Sequence, residues 1–118
     1  MASIESRDMD QPDERRTPDK TEVNVVTVGG NEVGRFSFEP GWRWSECVKP
    51  VAGTNSCQME HLGYAVAGSI HVEHDDGTAV DIRPGEAYLI APGHDAWVVG
   101  DERFVGVEFK SAGEYAKD

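Results

Sequence analysis

Cys57 and His61 stand four residues apart in a stretch, Cys57–Val66, that reads as an extended strand, and the two-residue period of a strand turns both side chains to one face. Cys47 precedes the breaker-rich segment Pro50–Asn55, so a hairpin whose loop is centred on Ala52 would set its thiol across from that of Cys57. His94 follows directly on the Pro92-Gly93 turn. Two thiolates and two imidazoles brought together favour a divalent transition metal, zinc before iron or manganese, over magnesium or calcium. Three of them with an open fourth position would suit a catalytic metal. The same residues also have plainer uses. A free cysteine in a strand packs as a small hydrophobe, and Cys47 and Cys57 across a hairpin would suit a disulfide in an oxidising compartment. An imidazole titrating near neutrality moves protons without any metal. His71 and His74 lead into the Asp75-Asp76-Gly77 hairpin and are expected in solvent.

The elements that must position these groups are short strands. Val23–Val28 and Glu32–Phe38 flank a Gly29-Gly30-Asn31 turn, and Pro40-Gly41 opens a further strand over Trp42–Lys49. After Cys57–Val66, strands are expected at Ser69–His74, Thr78–Ile82, Ala87–Ile90, Ala96–Val99 and Phe104–Phe109, separated by Pro84-Gly85, Pro92-Gly93 and Gly100-Asp101. Residues 1–20 are charged and poor in large apolar groups, which predicts a flexible N-terminal arm or an intersubunit strap ahead of one barrel domain over 21–118. Residues 111–117 are expected to form a helical turn. An all-β sandwich or barrel follows from the regular spacing of strands and turns.

The formal charge of −11 is spread out: residues 1–22 hold seven acids and four bases, which leaves −8 on the remainder. Such a surface repels phosphate backbones and anionic lipid, so neither nucleic acid nor membrane is expected as a partner. No stretch is apolar enough to read as a membrane span or a secretory signal, and the expected location is cytoplasmic, with both cysteines reduced.

Two segments carry a resemblance. Pro40-Gly41 through Gly63-Tyr-Ala-Val-Ala-Gly-Ser-Ile-His71, and Pro84-Gly85 through Gly93 and His94, resemble in their turns the two motifs of the cupin superfamily, Gly-x5-His-x-His-x3,4-Glu-x6-Gly and Gly-x5-Pro-x-Gly-x2-His-x3-Asn. The resemblance implies a double-stranded β-helix, a jelly-roll barrel, with an internal metal or ligand site and a homodimer joined by edge strands or strand exchange. In register, Cys47 and Lys49 take the places of the two histidines and His61 that of the glutamate. Ala91, Ala96 and Gly100 stand for the proline, histidine and asparagine of the second motif. The usual three-histidine, one-carboxylate set is absent, so its iron or manganese dioxygen chemistry is not expected. The family's glutamate faces the interior, which makes the face shared by Cys57 and His61 the inner one and lets His94 fill space near the Ala96 position.

The resulting expectation is a small-molecule-binding barrel with His61 and His94 as its reactive pair and Cys57 and Cys47 as further metal ligands. Tyr64, Trp97, Trp44 and Lys49 would line the pocket, an inward lysine needing a partner or an anionic ligand. With a metal bound, the chemistry would be metal-assisted acid–base catalysis such as isomerisation, elimination or hydrolysis. The alternative is a non-catalytic module that senses a ligand or serves assembly without a metal.

Overall fold

The computed structural model describes residues 3–110 and Tyr115. Among the described residues, nine strands build two antiparallel sheets: β1 (Glu14–Arg16), β2 (Thr21–Val28), β3 (Asn31–Phe38), β4 (His61–Ala67), β5 (Ser69–His74), β6 (Ala79–Ile82), β7 (Ala87–Ile90), β8 (His94–Val99) and β9 (Phe104–Lys110). The larger sheet runs β1-β2-β3-β9-β4-β7 and the smaller β6-β5-β8. They face one another as the two halves of a jelly-roll barrel. Alternation along each strand fills the space between them: Val23, Val25, Phe36, Phe38, Ala65 and Phe104 come from one sheet, and Ile70, Val72, Ile82, Ala96 and Val98 from the other. Phe38 stacks on Trp42 with ring centres 3.8 Å apart, and the indole N–H of Trp42 donates to Thr21 Oγ1 at 2.9 Å, so this large ring is buried without an orphaned donor.

Two expectations are corrected. The strand over Trp42–Lys49 is instead a pair of short helical turns, α1 (Trp44–Cys47) and α2 (Lys49–Ala52). From Trp44 on, the buried residues are Trp44, Cys47 and Val48, a spacing of three and four that belongs to a helix, whereas strand parity would have buried Glu46 with Trp42 and Trp44. Pro50 sits in the first turn of α2, where its missing N–H costs nothing, and Gly53 closes the turn at φ +74°. The strand expected from Cys57 begins only at His61; Cys57 itself makes an isolated bridge to His94.

Within the segment expected as an arm, residues 14–16 form β1 on the edge of the larger sheet, paired with Val23–Val25. Charge and hydrogen bonds tie it down where apolar burial does not. Arg7 pairs with Asp13 at 2.6 Å, Arg35 with Asp10 at 2.6 Å, and Asn24 Nδ2 donates to the Met9 carbonyl. The segment covers the outer side of β2, which is why Asn24 and Val26 are as buried as Val23 and Val25. Deleting residues 1–16 should therefore lower the unfolding free energy by about 3 kcal/mol, chiefly by uncovering Val26 and the polar groups around Asn24, as read from the urea midpoint. The helical turn expected over 111–117 lies outside the described residues except for Tyr115, a buried turn residue. Among the described residues, no helix is long and apolar enough to cross a membrane.

Candidate metal centre

The burial of β4 alternates from its first residue, so His61, Gly63 and Ala65 face the interior while Leu62, Tyr64 and Val66 face out. In β8 the inward set is His94, Ala96 and Val98. The two histidines thus come from opposite sheets, and their rings meet with centres 5.1 Å apart. Cys57 joins them through backbone bonds that bracket the Pro92-Gly93 turn: Cys57 N–H donates to the His94 carbonyl at 2.7 Å, and Gly93 N–H donates to the Cys57 carbonyl at 2.6 Å. Its Sγ lies 3.6 Å from His61 Nε2. One donor atom each from Cys57, His61 and His94 fall within 4.8 Å of one another, and all three residues are buried.

The second nitrogen of each ring is already committed. His94 Nδ1 donates to the Ala91 carbonyl at 2.8 Å, and His61 Nδ1 meets Glu108 Oε1 at 2.6 Å. Both Nε2 atoms are thereby turned toward the shared space, the arrangement in which an outer partner fixes the tautomer of a ligating histidine. Glu108, on β9, takes a second hydrogen bond from Tyr88 Oη at 2.7 Å. Gly63 and Gly106 provide the room for that phenol: a methyl group on either would come within 2.8 Å and 2.6 Å of the Tyr88 oxygen.

Burial pushes the Cys57 thiol up, but the hydrogen bonds and charge of His61 and His94 outweigh it and bring it down to about 6. Burial likewise opposes a charge on His61, yet the Glu108 carboxylate and the Cys57 sulfur lift it to about 10. Both shifts run toward a thiolate beside an imidazolium, each charge favouring the other. Replacing Glu108 with glutamine keeps the shape and removes the charge, so His61 should titrate at lower pH in Glu108→Gln than in the parent, as followed by the ring proton shifts in NMR.

The structure brings together three of the four expected ligands. Cys47 is separated from them because α1 replaces the strand that would have faced Cys57; its thiol lies 3.8 Å from Asp19 Oδ2. Both cysteines are free. Of the expected pocket residues, Trp44 lines the cavity around the histidines, with Trp42, Phe36 and Tyr115. Tyr64 and Trp97 do not, because each lies an odd number of residues from its neighbouring histidine and so points outward. Trp97 is sandwiched on the surface, its ring 4.1 Å from the Arg43 guanidinium carbon and 4.5 Å from the His71 ring. Lys49 is half-buried on α2, away from the cavity. His71 is half-buried rather than free in solvent, bonded to Asp81 at 2.5 Å, and His74 bonds the Pro92 carbonyl at 2.7 Å. Three site residues, Tyr88, Glu108 and Tyr115, went unread in the sequence, Tyr88 standing unremarked inside the expected strand Ala87–Ile90. Glu108 carried a signal, being the carboxylate on the inward parity of Phe104 and Gly106; Tyr115, with its ring centre 5.2 Å from that of His61, carried none.

No family model and no curated protein matches the chain. Solved structures do. Ectoine synthase from P. lautus is 13% identical, with 91% of this chain and 78% of that one covered at a TM-score of 0.62. A polyketide cyclase from Streptomyces resistomycificus is 19% identical, with 89% and 78% covered at 0.58. A cupin-like protein from Thermotoga maritima is 17% identical, with 82% and 77% covered at 0.55. At these identities the likeness speaks for the architecture, and it agrees with the strand order and the turns read above. The chain has the cupin fold, a jelly-roll barrel.

Proposed function

We propose that this barrel binds a divalent transition metal, zinc before iron or manganese, through Cys57, His61 and His94, and acts on a small organic molecule by metal-assisted acid–base chemistry such as isomerisation, elimination or hydrolysis. The observation that carries the reading is the donor set itself. Two imidazoles are held with Nε2 turned inward and a sulfur lies beside them, a set that suits zinc with a fourth position left for solvent or substrate. A bound zinc would supply Lewis acidity and an activated water. The chain's own residues do the rest. Glu108 orients His61 and supports its basicity, Tyr88 holds Glu108 in place, and the aromatic walls exclude bulk water. Elemental analysis of protein exposed to zinc, iron or manganese and then desalted tests the reading: about one equivalent supports it, and less than about a tenth of an equivalent of every ion removes it.

A second reading rests on the same His61–Glu108 contact. Without a metal, that imidazole exchanges a proton with a bound molecule, and a rate that survives a chelator but is lost in His61→Ala would favour it. A ligand that raises the melting temperature yet is recovered unchanged would favour a sensing role.

The chain is further proposed to be cytoplasmic and to pair with a second copy of itself. The support for pairing is the outer face of β4, β7 and β9, where Leu62, Tyr64, Val66, Leu89 and Phe109 are each 46–65% exposed. These five side chains offer on the order of 500 Å², and their apolar neighbours Ala87, Val105 and Val107 widen the face toward the roughly 800 Å² per partner of a standard interface. A chain of charge −11 can approach its like only across such an uncharged surface. Light scattering should give twice the 12.9 kDa of one chain, and Leu62→Lys, outside any cavity lining, should restore the single mass. A wild-type mass of one chain at about 100 μM would remove the pairing.

A further inference from the structure

The cavity at the metal centre holds about 30 Å³, room for no more than two or so waters. An organic substrate must therefore lie mostly elsewhere. β6 and β7 each lie at one edge of their sheet; they are joined through the Arg83–Glu86 turn, but neither is paired to the other. Between them runs a groove of about 570 Å³, inside the range of small-molecule pockets. Its walls are mostly apolar, with His74, Asp76, Thr78 and Glu86 as the polar lining. Val72, Val80 and Ile82 line one side, and Leu89 and Ile90 the other. Tyr88 and Ile90 line both the groove and the metal cavity, so these two side chains are the partition between them. Tyr88 is also the residue that holds Glu108.

We infer that this groove is the binding site for the body of the substrate, an uncharged and largely apolar small molecule whose reactive end enters the His61–His94 cavity past Ile90. The inference rests on the function proposed above and adds the substrate's class and its route. Three observations select the occupant. The groove adjoins the metal cavity, with Tyr88 and Ile90 as their shared wall. The charged side chains lining it are the carboxylates of Asp76 and Glu86, with no lysine or arginine, which disfavours phosphates and carboxylates. Its volume matches a molecule of drug-like size rather than a polypeptide segment.

Val80 tests this because it is half exposed, faces the groove from β6 and lies outside the metal centre. The probe is Nile red, a neutral apolar dye whose emission reports transfer out of water, and cobalt(II) reports the metal centre through its visible thiolate and ligand-field bands. The expected result is one dye per chain, at least tenfold weaker binding in Val80→Trp, retained binding in Val80→Ala, and the same cobalt spectrum in all three. Dye added to cobalt-loaded protein should also perturb the ligand-field bands. Equal dye affinity in the parent and in Val80→Trp overturns the inference, and so does binding of one dye per two chains, which would mean that a second copy covers the groove. A parent that binds dye in the groove but gives no cobalt spectrum removes the metal reading alone, and a cobalt spectrum without dye binding removes the groove alone.

Discussion

Zinc added to the metal-free protein should raise its melting temperature by about 15 °C, and Cys57→Ala should erase that gain. A ligand at a thousand times its dissociation constant contributes about 4 kcal/mol, and in a chain of this size each kcal/mol is worth about 4 °C. His61 and His94 alone would leave a two-imidazole site, too few ligands for tight binding at micromolar metal. Calorimetric scans of the parent, Cys57→Ala and His94→Ala, each with and without zinc, check this; a gain that persists in Cys57→Ala would place the ion elsewhere. The gain should also depend on pH in a set direction. With His61 raised to about 10, its Nε2 carries a proton over the ordinary pH range, and a metal must displace it. Affinity should then rise about tenfold per pH unit between about pH 6 and 9. It should fall more steeply below about 6, where the Cys57 thiolate also takes up a proton.

The largest effect on folding is expected at Gly68, between β4 and β5. Its φ is +68°, and a methyl group there would sit 2.3 Å from the Arg103 carbonyl oxygen and 2.8 Å from Phe104 Cα. Both obstacles are backbone of a neighbouring segment, so no side chain can rotate to relieve them. Gly77 has a similar φ of +94° with nothing within 4 Å, which makes Gly77→Ala the control for the dihedral cost alone. We expect Gly77→Ala to lose about 1 kcal/mol and Gly68→Ala to lose more than about 4 kcal/mol, enough to leave most of the chain insoluble. Urea midpoints and soluble yield of the two variants decide it; equal midpoints would show that the turn between β4 and β5 can move away from Arg103 and Phe104 at no cost.

The strands after residue 60 were legible because apolar alternation and Pro-Gly turns agree there, and the positions of His61 and His94 followed from them. The stretch Trp42–Cys57 was not, since two tryptophans at a spacing of two mimic a strand while Trp44, Cys47 and Val48 keep the helical spacing that burial selected. That single misreading placed Cys47 at the centre. Tyr64 and Trp97 were misplaced for a different reason: they were taken as pocket walls for their bulk, although a separation of three residues from His61 and His94 along a strand reverses the face. Segment 1–20 was read by composition as a mobile arm or an intersubunit strap, but the internal Arg7–Asp13 pair, the ion pair of Asp10 with Arg35 on β3 and the pairing of β1 with β2 hold a chain that apolar burial would not. Tyr115 lies beyond any local pattern, because its contacts with Phe36 and His61 exist only once the barrel has closed.

The buried Arg16 on β1 donates from Nη1 to the Tyr115 carbonyl at 2.6 Å, a contact spanning 99 residues. The two ends of the described chain are thereby latched to each other beside His61. Proteolytic nicking upstream of residue 16, or a fusion partner that pulls β1 aside, should be felt at the metal centre through the loosened Tyr115 ring, with no change to any ligand. Preparations trimmed at the N-terminus and intact ones are for that reason different reagents for every ligand measurement on this barrel.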